Sequence, residues 1–335
     1  MDKDEKKNIT IADVADALGV SKTTVSRAIS GKGRIGKETR DRVLAYIEEH
    51  DYKPNAIAKG LAQSKTYNIC AVMPGNYEVV DWNFFQACLF GIQEMAETVG
   101  YDILLTTCRM NDISSLERII ANRKVDGVIL MRTFLEDAQI EFLQQKRVPF
   151  VTTGSTNYRD VVQVDHDHRS ACKELTSIIL MKNYKRIALI GEDEGYVVTQ
   201  NRLRGFKEAY EQMGESVNES LLYLSPENRV RVDKTVNEIL DRKVDCILCM
   251  DDAVASRVLK VLREKHIKVP DDVRVASFYD STILENNVPS ITSLSFDAKE
   301  LGRVACRILF DLIEGMEVEE KTLLPYEVVL KESTK

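Results

Sequence analysis

Lys22, Thr23, Ser26 and Arg27 stand in a stretch whose apolar residues, Val25, Ala28 and Ile29, recur at helical spacing. The four polar side chains must therefore point largely away from the apolar face, toward solvent or a partner. An arginine offers a planar fork of donors that pairs with the O6 and N7 acceptors of guanine, a contact worth about 1–3 kcal/mol of discrimination. Lysine and the hydroxyl residues can reach base edges or phosphates. Such chemistry requires the short helix to be presented to a DNA groove.

The flanking residues supply a frame for that presentation. Thr10 and Asp13 have capping-box spacing, with Asp in place of the usual Glu or Gln, and Ile11, Val14, Ala15 and Leu18 form an apolar helical face. Gly19 ends this first helix, and Ser21 is a good N-cap for a second. Gly31, Gly33 and Gly36 loosen the next connection, and a third helix is expected over about Lys37–His50 with Val43, Leu44 and Ile47 inward. Two short helices joined by a tight glycine turn suit the major groove, which admits one helix presented end-on. The same spacing would serve a small structural helical subdomain with solvated charges, and by itself it leaves the two readings level.

Two other clusters could carry chemistry. Asp165-His166-Asp167-His168 places two histidines on one face of an extended segment, where both could meet one ion, but no third distant ligand is indicated. Cys246 and Cys249 form a CxxC, yet they lie in an apolar strand where positions three apart face opposite sides, so buried free thiols are expected. The chain has no Walker loop, no GxSxG elbow and no GxGxxG after a strand. Nothing argues for an enzyme, and no catalytic residue, cofactor or metal ligand is assigned.

Composition limits the setting. A chain of 335 residues is too long for one ordinary core, so two or three domains are expected. No run of eighteen apolar residues is present, and Met1–Thr10 is charged and lacks the apolar stretch of a secretory signal; a cytoplasmic protein is expected. Seven scattered cysteines fit reduced thiols. The net charge of −7 is unevenly spread: residues 1–66 hold 13 Lys/Arg against 10 Asp/Glu, and the remainder 33 against 43. A weakly basic head on an acidic body can meet phosphates locally while the body discourages indiscriminate contact.

After Lys65, apolar β-rich runs alternate with helical stretches. Strands are expected at Ile69–Met73, Ile103–Thr107, Val125–Met131, Arg186–Gly191, Val244–Met250, Val273–Tyr279 and, last, Leu323–Leu330. Helices are expected at Asn83–Val99, Ser114–Ala121, Asp137–Gln145, Asn201–Met213 and Ala253–His266. This is βαβ grammar, and it implies parallel sheets covered by helices. Asn122–Met131 (NRKVDGVILM) returns as Asp241–Met250 (DRKVDCILCM) about 119 residues later, which predicts two lobes of one fold with a cleft between them. Ligands of open α/β sheets gather at the carboxyl ends of strands, so the cleft is the expected site.

Thr10–Ala62 closely resembles the head of the LacI/GalR (lactose-repressor) family. The most specific pieces are Asp13-Val14-Ala15, Gly19-Val20-Ser21, Thr24-Val25-Ser26-Arg27, Tyr52-x-Pro54-Asn55 and Leu61-Ala62. The resemblance implies that Lys22, Thr23 and Arg27 read bases, and that Thr10, Ser21, Thr24 and Ser26 serve phosphates or packing. Tyr52 and Asn55 match positions near the DNA backbone. Residues 55–62 match the family's hinge, with Leu61 as the minor-groove wedge and Ala58 at the close-contact position. Gly60 lies inside that hinge and disfavours helix by about 1 kcal/mol relative to Ala, so Gly60→Ala is expected to tighten operator binding and blunt the effector response. Gly36 stands where several relatives carry Ser, which removes an expected cap or phosphate contact.

The rest, to about residue 330, resembles the periplasmic-binding-protein-like (type I) sensor of the same family. The implied architecture is an all-α helix-turn-helix head (1–54), a hinge helix and linker (55–66), and a two-lobed, Rossmann-like α/β effector-binding and dimerisation body (67–335). Arg202-Leu203-x-Gly205-Phe206 matches the stretch whose Arg grips the effector; Asp280 and Asp251 match strand ends that face it, and Asn83 and Phe85 the aromatic wall. Arginine, carboxylates and an aromatic suit a polyhydroxylated sugar or a derivative of one. Gly154 stands where many relatives have Asp, and Tyr196, Val197 and Val198 make the wall before Arg202 more apolar. The family begins a helix at Asp165–His168, where Asp is a natural cap. The expected protein is a homodimeric repressor of a palindromic operator, controlled by a small effector, with no membrane partner. An activator on the same scaffold stays open, as does, at longer odds, a cytoplasmic solute-binding protein or sugar-processing enzyme.

Overall fold

The computed structural model describes residues 9–31, 33–52, 60, 63–75, 82–191, 193–224 and 231–335, with residue 82 by its backbone alone. The chain divides into two compact units, 1–66 and 67–335. Asn55, Ala58 and Leu61 lie outside the described residues.

The first unit holds α1 (Ile11–Leu18), α2 (Lys22–Ser30) and α3 (Lys37–Glu49). The Thr10 amide donates to Asp13 Oδ2 at 2.7 Å and the Asp13 amide to Thr10 Oγ1 at 3.4 Å, closing the capping box with an aspartate. Gly19 takes φ 65°, a left-handed stop that costs glycine nothing, and its amide reaches the Ala15 and Asp16 carbonyls. Ser21 accepts from the Thr24 amide at 3.1 Å. Val14, Ala15, Val25, Ala28, Val43 and Tyr52 make the core, but Leu44 is 43% exposed and does not join it. Tyr46 and Ile47, three and four residues beyond Val43, complete the inward face, and Leu44 lies about 100° round the helix from Val43.

Gly60 stands in a tight turn with Lys65. A Cβ there would stand 2.5 Å from the Lys65 carbonyl oxygen. The Lys65 amide also donates to the Gly60 carbonyl at 3.0 Å, so this tight turn must open before an alanine fits. In this conformation that clash opposes the gain expected of Gly60→Ala from helix propensity.

The second unit begins with β1 (Asn68–Pro74), α4 (Trp82–Thr98), β2 (Asp102–Cys108), α5 (Ser114–Ala121), β3 (Gly127–Leu130), α6 (Ala138–Lys146), β4 (Phe150–Thr153) and β5 (Val162–His166). It continues with α7 (His168–Met181), β6 (Ile187–Ile190), α8 (Val197–Gln212), β7 (Leu222–Tyr223), α9 (Val232–Asp241), β8 (Cys246–Cys249), α10 (Asp252–Glu264), β9 (Arg274–Ser277), α11 (Thr282–Glu285) and β10 (Thr292–Ser295). The last elements are α12 (Ala298–Ile313), β11 (Lys321–Leu324) and β12 (Glu327–Val329). Two six-stranded sheets result, ordered β11-β5-β4-β3-β1-β2 and β12-β10-β9-β8-β6-β7. Among the described strands every ladder is parallel except β10 with β12.

The sequence repeat occupies the same place in both lobes, with β3 between β4 and β1, and β8 between β9 and β6. Its shared aspartate does the same work twice. Asp126 Oδ2 accepts from the Tyr67 amide at the entry to β1, and Asp245 Oδ2 accepts from the Lys185 and Arg186 amides at the entry to β6. Central strands such as β1 are buried over five consecutive residues, as a strand covered on both faces must be.

Two expectations change. The strand expected at Leu323–Leu330 is two strands: β11 joins the first sheet and β12 the second. Pro325 between them has no N–H for a ladder, and the chain changes lobes there. The helix expected from Asn201 begins four residues earlier, at Val197. Tyr196 gives no side-chain cap, and β-branched Val197, Val198 and Thr199 conceal a helix start. Among the described residues no helix is long and apolar enough to cross a membrane.

Among the described residues the chain crosses between lobes at three points: between β5 and α7, between β10 and α12, and between β11 and β12. The first two crossings touch, with Phe296 packed against His166 and His168 at ring-centre distances of 5.0 and 4.6 Å.

Candidate functional site

In the body, a cavity opens where the carboxyl ends of parallel strands from both sheets converge. From the first lobe it takes Met131, Arg132 and Thr133 after β3, Thr153 and Gly154 at the end of β4, Asp165 on β5, and Phe84 and Phe85 from α4. From the second it takes His168 at the start of α7, Val198 and Arg202 on α8, Asp251 and Asp252 beyond β8, and Tyr279 after β9. This is the location that open α/β sheets give a ligand.

Arg202 reaches into this space from a buried position, and its Nη1 donates to the Met250 carbonyl at 2.5 Å. Its Nε is buried without a hydrogen-bond partner, a donor left for something else to satisfy. Asp251 caps α10, with Oδ1 accepting from the Val254 amide at 2.6 Å. Arg132 lies over the rings of Phe85 and Tyr196, at 5.1 and 4.4 Å, and so spans the two lobes. Alongside it the Leu135 amide donates to the Gly195 carbonyl at 3.0 Å, and Phe134 packs on Tyr196. Phe84 meets Tyr279 edge-on at 5.7 Å, extending the aromatic wall across the cleft.

Asp165 is held by the Ser155 amide at 2.7 Å and lies 3.4 Å from His168 Nε2. Burial pushes its carboxyl up, but His168 and the Ser155 hydrogen bonds outweigh burial and leave it below its usual range. Burial, reinforced by His168, pushes His166 down to about 4, so that imidazole is neutral near pH 7. Asp167 caps α7 through the Ser170 amide at 3.0 Å.

Of the five residues expected at the effector site, Phe85, Arg202 and Asp251 line the cavity. Asp280 does not: its Oδ2 pairs with Lys331 Nζ at 2.8 Å, and neighbouring Tyr279 faces the cavity instead. Asn83 is exposed and outside the lining, where Phe84 stands. Gly154 adopts φ 141°, and a Cβ there would lie 3.1 Å from Thr133 Oγ1, so an aspartate at this position would be strained. Sequence reasoning missed Arg132, Asp165 and His168 as cavity residues. The repeat held a signal for the first: Arg132 follows NRKVDGVILM as Asp251 follows DRKVDCILCM.

In the head, Lys22, Thr23, Ser26 and Arg27 are exposed along α2, while Val25 and Ala28 are buried beneath them. Arg27 lies along Gly33, where an added Cβ would come within 3.1 Å of its Cδ. The Ser21 and Thr24 hydroxyls share a hydrogen bond of 2.9 Å, and Tyr52 packs in the core with its phenol raised by burial.

Residues 10–55 match the model described as bacterial regulatory proteins, lacI family, and residues 179–334 match the periplasmic binding protein-like domain. Catabolite control protein A of Streptococcus mutans is 31% identical over 325 residues, covering 94% of this chain and 95% of that one. The chain belongs to the lacI family of bacterial regulatory proteins. As a lacI-family member it is a DNA-binding regulator of transcription and not an enzyme. Catabolite control protein A of Staphylococcus aureus is 27% identical over 98% of this chain and 99% of its own. Among solved structures, a complex of the transcriptional regulator CelR with cellobiose is 28% identical, with a TM-score of 0.74 over 97% of this chain and 99% of its own. A lac repressor dimer bound to operator and an anti-inducer is 20% identical and shares the fold, with a TM-score of 0.82 over 98% of this chain and 99% of its own.

Proposed function

We propose that this lacI-family regulator is a homodimeric cytoplasmic repressor that binds a roughly palindromic operator and releases or tightens on it when a carbohydrate occupies the cleft. The supporting observation is the cavity between the sheets, where Arg202, Asp251 and Asp252 offer charged hydrogen-bonding groups beside the Phe84, Phe85 and Tyr279 rings. Vicinal hydroxyls accept from and donate to such groups, and an aromatic face covers the C–H side of a sugar. The relative crystallised with cellobiose supports the same class of ligand.

In this reading residues 1–54 read DNA, 55–66 form the hinge, and 67–335 bind effector and dimerise. Lys22, Thr23 and Arg27 contact base edges; Thr10, Ser21, Thr24, Ser26, Tyr52 and Asn55 serve the backbone or packing, and Ala58 and Leu61 the minor groove. Exposed Phe90 on α4 and Leu105 on edge strand β2 are apolar surface that a second copy would cover. Coupling requires that the effector bind the DNA-competent and DNA-incompetent states with different affinity.

The test is a thermal-shift panel of neutral sugars and sugar phosphates, followed by operator binding with and without each hit. A sugar that raises the melting temperature and changes operator affinity is expected. If nothing in the panel does both, the carbohydrate assignment is wrong.

A further inference from the structure

The last residues of β5 and the first of α7 bring three potential metal ligands together at a crossing between the lobes. One ligand atom from each of Asp165, His166 and His168 lies within 4.8 Å of the others, and all three residues are buried. Backbone amides satisfy both oxygens of Asp165, but not the imidazoles beside it. Both ring nitrogens of His166 and Nδ1 of His168 are buried without a partner. Buried polar atoms are nearly always paired, so the two orphaned nitrogens of His166 call for a missing group, and an ion held by Asp165 Oδ1 and His168 Nε2 would take up one of them. His166 is 2% and His168 5% exposed, so bulk water does not supply it.

One contact in the cluster has the dimension of a coordination edge. Asp165 Oδ1 accepts from the His166 amide at 2.8 Å and lies 3.4 Å from His168 Nε2, a long contact against the usual N–H···O range of about 2.7–3.2 Å. Two ligands on a tetrahedral ion at about 2.0–2.1 Å each are separated by roughly 3.4 Å. The other oxygen of Asp165 accepts from the Ser155 amide, the kind of outer bond that orients a ligating carboxylate. Asp165 and His168 also line the cavity, which leaves a coordination position open toward it.

We propose that Asp165, His166 and His168 form a binding site for a borderline divalent cation of the zinc class, with its fourth position facing the cleft. Two imidazoles and a carboxylate suit Zn2+ and Co2+ better than Mg2+ or Ca2+, which take all-oxygen shells. Asp165 and His166 end a strand of one lobe and His168 begins a helix of the other, so the ion would tie the two lobes together at this crossing. The site stands independently of which effector the cleft takes.

The experiment uses the full, untagged chain, stripped with a chelator and dialysed, and titrated with Co2+ and then Zn2+. The expected result is one equivalent of Co2+ giving tetrahedral ligand-field absorption without a thiolate charge-transfer band, and its displacement by one equivalent of Zn2+. His166→Gln and His168→Gln should each weaken binding at least tenfold, while His50→Gln and His266→Gln, at the two exposed histidines, should leave it unchanged. Circular dichroism of each variant separates loss of ligation from loss of fold. The proposal is overturned if wild-type protein binds no stoichiometric Co2+, if a thiolate band appears, or if a folded His166→Gln or His168→Gln binds like wild type. Should both variants fail to fold, the wild-type titration alone decides.

Discussion

Arg202 is tied to the end of β8 by a 2.5 Å hydrogen bond from its Nη1 to the Met250 carbonyl, and that bond aims the rest of the guanidinium at the cleft. The residue after Met250, Asp251, caps α10, so the arginine, the strand end and the helix start form one rigid corner.

Arg202→Ala should therefore abolish the effector's influence on operator binding while leaving the head's own affinity for operator within about twofold. Loss of a charged donor to a buried carbonyl should also cost the body roughly 1–3 kcal/mol of stability. Operator titrations with and without effector, beside a urea melt, read both effects. A normal effector response in this variant would move the ligand elsewhere.

Arg27 projects from α2 over Gly33 with its guanidinium exposed and no part in the buried core of the head. Arg27→Ala should lose about 1–3 kcal/mol on the operator and relax the preference at one base pair, with little change on random DNA. Equal weakening on specific and random duplexes would reduce Arg27 to a phosphate contact.

Much of the architecture was written in local signals. The capping box at Thr10, the glycine stop at Gly19 and the Ser21 cap depend on residues three or four apart, and each is visible in a linear reading. The duplication was legible because the same Asp must clamp the neighbouring strand in each lobe. What escaped was set by tertiary context. Asp280 matches a ligand position in sequence but is claimed by Lys331, 51 residues away. The helix start expected at Asp165–His168 is there, with Asp167 as its cap, but only the meeting of two crossings turns Asp165 and His168 toward the cavity. Pro325 alone could have exposed the split of the last strand.

Gly36 is the N-cap of α3 with φ −60° and ψ 141°, backbone that any residue adopts, and it makes no side-chain cap. A Cβ there meets nothing nearer than Thr39 Oγ1 at 3.9 Å. Gly36→Ser should stabilise the head by a few tenths of a kcal/mol, the usual difference between glycine and serine caps. A head that melts at lower temperature would mean the serine does not reach the first-turn amides.

All seven cysteines are buried and free. Burial pushes the thiols of Cys70, Cys88, Cys246 and Cys306 up to about 12, and raises Cys108, Cys172 and Cys249 as well. Thiolate is the reactive form, so the native protein at pH 8 should react only slowly with a thiol-specific disulfide. All seven should react at once in denaturant. A fast native phase would identify a thiol that opens on the timescale of the assay.

Two glycines bring the backbones of α4 and α12 close together. A Cβ on Gly91 would fall 1.9 Å from the Lys299 carbonyl oxygen, and one on Gly302 would fall 2.0 Å from the Cys88 carbonyl oxygen. Each glycine makes room for the other helix's backbone, and backbone cannot swing aside as a flexible side chain can. Gly91→Ala or Gly302→Ala must force the helices apart and open the core that Cys88, Ile92, Leu301 and Ala305 share. Overpacking of this kind costs about 1–3 kcal/mol and more where the clash is rigid, so each variant should melt several degrees lower. Because the contact is mutual, the double variant should cost less than the sum of the two, the second alanine entering a gap already opened. Strict additivity in a urea-melt cycle would show that the two clashes are relieved separately.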